Sequence, residues 1–478
     1  MSGKPQIALE ERSSNERALG SRRPRGPIAP ASNVLALPIR PAPAAAVERG
    51  SWLSRDTARD WVRRIGYRVG GLPIAARAVL SRGNTAEIRL RRAYAKRYFQ
   101  IRSPAELTEL IVGVAVAPLV VIALIALFTV RNGRLAARRA DRAILLQVTD
   151  QLRLYLGAGV LAPWYYIFEL NRQPTVRHAR SFAYRWETKG GVYHVLREAW
   201  RPPTSPLSDK VAFAEFCGAC ELPTPAVLAV IWPDRVDLKA PAEALRCDLF
   251  VKRIEGRGGK GAQRWDYREG FYWGAASERL SLPELLVRLR SDARSSPLLV
   301  QRRLTNPPEL RELANGALST VRILTCLDGE EPRIVAAAAR MAIGGNHVVD
   351  NLHCGGIAVG IDLDTGALGL ASNLGADSSL GWISHHPGTH ARIAGRTYPM
   401  WHEACRLALG AHHCFGDRII IGWDIAITED GPVIVEGNGS PDLDIAQRFG
   451  PSGLMDGRFA ACLANRLEPF GGPLAART

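Results

Sequence analysis

The sequence predicts an α+β protein: a helical N-terminal part bearing one membrane segment, then a β-rich region built of sheet and hairpin. Three observations carry this. Residues 110–130 form a run of 21 residues without a charge. Residues 145–200 hold helical apolar patterns with many aromatics (Trp164, Tyr165, Tyr166, Phe168, Tyr184, Trp186) and no strand–helix alternation. Residues 419–442 read as two β-type runs around an Asp-Gly turn.

In chain order, residues 1–50 are rich in Arg, Pro, Ala and Ser and poor in aromatics. Such a composition cannot bury enough apolar surface to order itself, so a disordered basic arm is expected. It lacks the Arg-then-apolar order of a signal peptide. Residues 51–109 form a basic juxtamembrane segment. Between 51 and 100, twelve Arg and Lys stand against three acids, a balance of +9, with Trp52, Trp61, Tyr67, Tyr94, Tyr98 and Phe99 interleaved. That pattern suits anionic membrane lipid and also nucleic acid. The uncharged run at 110–130 decides for lipid and makes nucleic acid an unlikely partner, because about 20 apolar residues span a bilayer core. Five arginines, Arg131 to Arg142, follow it. With both flanks basic, the positive-inside rule gives a divided answer. Pro118 leaves open a bent, re-entrant helix beside the single-pass one. Residues 131–194 are expected to be a helical module packing on the domain that follows or lying near the lipid surface.

The chemistry lies in the β-rich region. Asp424, Glu436 and Asn438 stand in runs of Val and Ile, where a carboxylate needs a compensating partner because isolated buried charge is very costly. Hard divalent cations take oxygen ligands, and Mg²⁺ combines one or two carboxylates with substrate phosphates. Geometry limits this reading. A three-residue loop of Glu429, Asp430 and Gly431 sets Asp424 opposite Glu436, with Asn438 on the same face. A two-residue loop at Asp430 and Gly431 sends the two acids to opposite faces. The metal reading therefore needs the longer loop or a bulge.

Upstream, Leu207-Ser-Asp-Lys210 opens a helical pattern with Ser208 or Asp209 as N-cap. Asp248-Leu-Phe-Val-Lys252-Arg-Ile reads as a short buried strand running into Glu255-Gly-Arg-Gly-Gly-Lys-Gly261. Glycines at 256, 258, 259 and 261 let backbone N–H groups approach phosphate oxygens. The loop is not a Walker A motif, since Gly261 follows Lys260 where Ser or Thr is required. An arginine in Ser319-Thr-Val-Arg322-Ile-Leu-Thr is unusual without a partner, and an acid such as Glu436 would supply one. The lone Cys217-Gly-Ala-Cys220 is read as core packing, and the cysteines as reduced thiols.

Together these residues resemble the ATP-grasp superfamily, and in particular its sugar-transfer-associated family, which also shows segments like those at 318–325 and 350–357. The resemblance covers roughly residues 195–470. It implies an ATP-grasp fold, two α/β subdomains sandwiching ATP. It further implies that Lys210 and Lys252 hold the α- and β-phosphates and that Gly256, Gly258, Gly259 and Gly261 belong to a flap above them. Gln301 and Arg302 would lie nearest adenine, Arg322 would face the transferred phosphate, and Asp424, Glu436 and Asn438 would coordinate Mg²⁺. Arg322 and Lys252 are the catalytic candidates. Two departures stand out: Arg253 replaces a proline frequent after the strand lysine, and the hinge reads Gln301-Arg302-Arg303 where relatives carry acids.

The implied activity is a membrane-attached, ATP- and Mg²⁺-dependent ligase with its catalytic domain in the cytoplasm. It would activate a small-molecule carboxylate as an acyl phosphate for attack by an amine or sugar acceptor, in cell-surface sugar or polysaccharide biosynthesis. The alternatives are a kinase that stops at phosphorylation and a non-catalytic basic membrane scaffold. Further acceptor-site candidates are Asn351, His353, His385, His386, His390, Asp442 and Asp444.

Overall fold

The computed structural model describes residues 55–467, apart from 199–204, 255–260, 276–277, 345–347, 349, 351, 353–354, 374–380 and 451. The expected basic arm, three flap glycines (Gly256, Gly258, Gly259) and the candidates Asn351 and His353 lie outside the described residues. The described residues form one compact unit.

Among the described residues helices come first: α1 (Arg55–Leu80), α2 (Ala86–Phe99), α3 (Pro104–Ala140), α4 (Ile144–Ala158), α5 (Ala162–Ile167), α6 (Val176–Arg180), α7 (Arg185–Glu187) and, after a π-helical turn over Thr188–Val192, α8 (Tyr193–Glu198). The uncharged run sits inside α3, whose 37 residues exceed what a bilayer requires. Ser103 caps its start by accepting from the Glu106 N–H, Pro104 opens its first turn, and Asp141 ends it in the left-handed region at φ 47°. The helix runs on through Pro118 as one element.

A first sheet follows α9 (Lys210–Ala219). Its strands are β1 (Val227–Ile231), β2 (Val236–Leu238), β3 (Leu249–Arg253), β4 (Gln263–Arg268), β5 (Phe271–Trp273), β6 (Arg279–Leu280) and, after α10 (Leu282–Asp292), β7 (Leu298–Arg302). They pair antiparallel in the order β2-β1-β7-β3-β4-β5-β6. After α11 (Pro308–Ala314) comes a second antiparallel sheet of β8 (Thr320–Asp328), β9 (Glu331–Met341), β10 (Ile357–Ile361), β11 (Leu368–Ser372), β12 (Ile420–Thr428) and β13 (Gly431–Asn438). Its order is β11-β10-β9-β8-β12-β13. The remaining helices are α12 (Trp401–Cys414), α13 (Asp444–Phe449) and α14 (Arg458–Leu467).

The second sheet is covered on both faces, which is why β12 is buried along its whole length. Val321, Ile323, Trp423 and Ile425 join a core with α9, α11 and α12. Leu324, Cys326 and Ile420 join another, formed by the N-terminal helices with α13 and α14. The helical part is thus continuous with the sheet's second core.

Candidate functional site

Lys210 is the first residue of α9 because Asp209 caps the helix, accepting from the Val211 and Ala212 N–H groups at 2.8 and 3.1 Å. Its ammonium donates to the Ile254 carbonyl just past β3, at 2.8 Å. Lys252 lies on β3 opposite Leu299 of β7. Both lysines line one pocket with Phe213, Pro225, Gln301 and Glu436, so the first sheet, α9 and β13 of the second sheet all contribute. Burial pushes the Lys252 ammonium down to about 8; Lys210 adds to this, while Glu436 and Asp424 pull the other way.

Gln301 is buried in this pocket and donates to the Pro225 carbonyl at 3.2 Å. Arg302 is placed differently, because the next residue on a strand faces the opposite way: its side chain is exposed and does not line the pocket. Gly261 adopts φ 74°, a left-handed conformation that suits glycine.

The acidic hairpin adopts neither anticipated loop. Glu429 and Asp430 make a two-residue turn with Thr428 paired to Gly431, and the pairing slips by one residue between Ile425↔Ile434 and Asp424↔Glu436. Val435 is the extra residue of this bulge. The slip places Asp424 opposite Glu436 and Gly422 opposite Asn438, so all three oxygen-bearing side chains share one face. Without it, Glu436 would stand beside Trp423 on the buried side.

Arg322 of β8, opposite Asp424 in the sheet, clasps that carboxylate with Nε at 2.5 Å and Nη2 at 3.0 Å. Arg340 of β9 reaches it too, at 3.2 Å, and lies 3.6 Å from Asp350. Asp350 in turn accepts from the Thr320 N–H and hydroxyl at 2.8 and 2.6 Å. Burial alone would raise Asp424, yet the two guanidinium groups outweigh it and hold the carboxylate below its usual range. For Asp350 burial prevails and pushes it up, against Arg340. Arg340 was not singled out in the sequence. The signal was available, an arginine closing the apolar run Ala336-Ala-Ala-Ala-Arg340, but its partners lie on other strands.

The donor set fits a magnesium ion: two carboxylate groups and one amide, all hard oxygen ligands on one face. Asp424 is already neutralised by two arginines, which leaves Glu436 as the more available carboxylate.

Past Asn438 the chain turns into the helical part. Arg185 pairs with Asp442 at 2.5 Å and with Asp444 at 2.7 Å, and Lys189 meets Asp442 at 3.2 Å. The Trp164 indole donates to Asp444 at 3.2 Å, and the Tyr193 hydroxyl to the Pro441 carbonyl at 2.9 Å. Burial, then the neighbouring Asp442, pushes Asp444 up to about 6. These two acids therefore anchor the segment that follows Asn438 to the helical part. His386 likewise serves its own loop: its Nδ1 accepts from the Gly388 and Thr389 N–H groups.

Two antiparallel sheets contributing to one pocket, with lysines on one side and an acidic hairpin on the other, make this an ATP-grasp fold. The profile of the sugar-transfer-associated ATP-grasp family matches residues 201–459, more than half of the chain, and the chain belongs to that family. No curated protein sequence matches it. Among solved structures it is similar to an L-amino acid ligase from Bacillus licheniformis, at 10% identity and TM-score 0.32, covering 54% of this chain and 48% of that one. It is also similar to D-alanyl-alanine synthetase A from Vibrio cholerae, at 12% identity and TM-score 0.32, covering 55% and 66%. A third is the N5-carboxyaminoimidazole synthetase from Staphylococcus aureus, at 10% identity and TM-score 0.32, covering 54% and 51%. The chain spans between 48% and 66% of the length of these three.

Proposed function

We propose that this chain is a membrane-attached, ATP- and Mg²⁺-dependent ligase acting in cell-surface sugar or polysaccharide biosynthesis. The observation that carries the reading is the convergence of Lys210, Lys252 and Glu436 in one pocket, with Asp424 held ionised by Arg322 and Arg340 on the same sheet face. Phosphoryl transfer from ATP depends mainly on positioning and charge neutralisation, and this cleft offers both. Lys210 and Lys252 bind the nucleotide phosphates; Gln301 lies at the nucleotide's base end. Glu436, Asp424 and Asn438 would hold magnesium, which would add to the neutralisation of phosphate charge. Arg322 and Arg340 present positive charge to the transferred group. A substrate carboxylate oxygen attacks the γ-phosphorus and ADP leaves; an amine or sugar acceptor then attacks the acyl carbon, expelling phosphate. The family's sugar-transfer association supports a surface-polymer substrate, and α3 with its basic flanks supports attachment to the cytoplasmic membrane through anionic lipid, the catalytic part lying in the cytoplasm.

The test offers the purified full-length protein a panel of carboxylates and amines with Mg²⁺-ATP, following ADP release and identifying products by mass spectrometry. The reading expects ADP release that needs the carboxylate and an amide-type product that needs the amine. A stable phosphorylated product formed without amine would instead identify a kinase.

A further inference from the structure

The long apolar helix does not stand alone. One face of α3 is buried along nearly its whole length, at Glu109, Gly113, Ala117, Val121, Ile125, Thr129, Gly133 and Ala136. That spacing of three to four residues is one helical stripe. At its N-terminal end it packs on α1: Glu109 pairs with Arg64 at 2.7 Å, and Gly113 lies so close to Arg68 that a Cβ would come within 2.5 Å of that side chain. At its C-terminal end it packs on α4 and α5. There Gln147 donates to the Gly133 carbonyl at 3.0 Å, Gln151 to the Thr129 hydroxyl at 2.9 Å, and the Tyr166 hydroxyl to Thr129 at 3.3 Å.

Gly113 and Gly133 are separated by about 30 Å along the helix, the full thickness of a hydrocarbon core. If α3 crossed a bilayer, α1 would sit at one face and the α4–α5 pair at the other. Yet α1 and α4 touch, the Tyr155 hydroxyl donating to the Val69 carbonyl at 3.1 Å. They form one platform under the whole apolar run. That platform is joined to the catalytic part through Trp164 and Asp444, and its buried polar groups are partnered: Gln147 on the Gly133 carbonyl, Asp150 on Arg142 and Gln151 on the Thr129 hydroxyl.

We infer that α3 lies side-on in one leaflet of an anionic bilayer, without crossing it, and that α4 shares the lipid contact. This rests on the proposed membrane attachment and gives it a geometry. The outward face of α3 carries Ile111, Leu119, Ile122, Leu127 and Val130, exposed up to 82%. The α4 surface adds Leu145, Leu152 and Leu156, exposed 74%, 47% and 62%, on a helix that has no membrane-spanning length of its own. Exposed arginines accompany these elements: Arg131, Arg134 and Arg138 towards the C-terminal end of α3, Arg153 on α4 and Arg63 on α1. Exposed apolar residues on helices that also expose arginines suit a leaflet with anionic headgroups. In this arrangement both chain ends stay on the cytoplasmic side, and the ATP cleft stands beside the headgroup layer.

Two measurements on the full-length protein test this. In spheroplasts of a bacterial expression host, tags at the two termini are probed with external protease after confirming that the protein sediments with membranes. Side-on binding expects both tags to resist digestion until the cells are lysed. Digestion of one tag in intact spheroplasts would establish a crossing helix, overturning the inference while keeping membrane attachment. Failure to sediment with membranes at all would defeat attachment itself. In the second measurement, Leu145→Gln, Leu152→Gln and Leu156→Gln are combined. Partitioning to mixed phosphatidylcholine–phosphatidylglycerol vesicles is expected to fall at least about tenfold, with ATP turnover in detergent unchanged. Wild-type partitioning would remove α4 from the lipid contact. Unchanged partitioning together with loss of a homodimer would assign that face to a second copy of the chain.

Discussion

Asp424 and Glu436 lie opposite one another, yet their surroundings differ and so do the expected effects of replacing them. Glu436→Gln removes a negative ligand from the pocket without stranding an arginine, so Mg²⁺-dependent ADP release should fall by about 100-fold with the melting temperature preserved. Asp424→Ala leaves Arg322 and Arg340 buried without their shared carboxylate, and should also cost on the order of 3–5 kcal/mol of stability in denaturant titration. Lys252 gives a pH signature. Its free-protein value near 8 lies below that of ordinary lysine, and a phosphate favours its charged form. Nucleotide binding therefore takes up a proton, and affinity should decline as pH rises from 7 through 9, as read by calorimetry. A Lys252→Met variant should show weaker binding with that slope removed. These roles are partly legible in the sequence, because charge amid Val and Ile demands a partner. Arg340 was passed over since its partners, Asp424 and Asp350, lie 84 and 10 residues away and meet it only once β8, β9 and β12 are paired.

At the scale of elements, the bulge at Val435 decides whether Glu436 and Asn438 share a face with Asp424. Side chains alternate along a strand, so a slip of one residue exchanges faces. Deleting Val435 should leave a regular ladder with Asp424 still opposite Glu436, and Mg²⁺-dependent turnover should survive. Deleting Gly437 should turn Asn438 to the other face and abolish it. The sequence made the carboxylate pair conditional on a longer loop or a bulge, and could not choose. Turn propensity favoured Asp430-Gly431, whereas burial of Ile425, Ile427 and Ile434 against α12 fixed the register that the turn had to accept. The helices were easier to foresee, since the Asp209 cap and the Ser103-Pro104 start are local signals.

For the whole molecule, the N-terminal helices and the second sheet share one core. Leu324, Cys326 and Ile420 on the sheet pack in a cluster with Leu154, Tyr165 and Trp186 of the helices and Phe459 of α14. A chain beginning at residue 195 would expose that face. It should aggregate or melt without a cooperative transition, while the full chain melts cooperatively. Arg185→Ala should have a milder effect of about 2 kcal/mol, because the arginine is partly exposed, and should weaken turnover by loosening the segment after Asn438.

Composition and local spacing by themselves determined the 21-residue uncharged run, the oxygen-bearing side chains two apart on a strand, the capped lysine at a helix start and the family they suggest. Each depends on neighbours within a few residues, where covalent geometry dictates which side chains share a face. Tertiary structure alone decided that Lys210 and Lys252 reach Glu436, that Arg340 joins Arg322 on Asp424, and that α3 rests on a platform of other helices. Those contacts join residues far apart along the chain, and their existence depends on how sheets register and cores close, which no local pattern encodes.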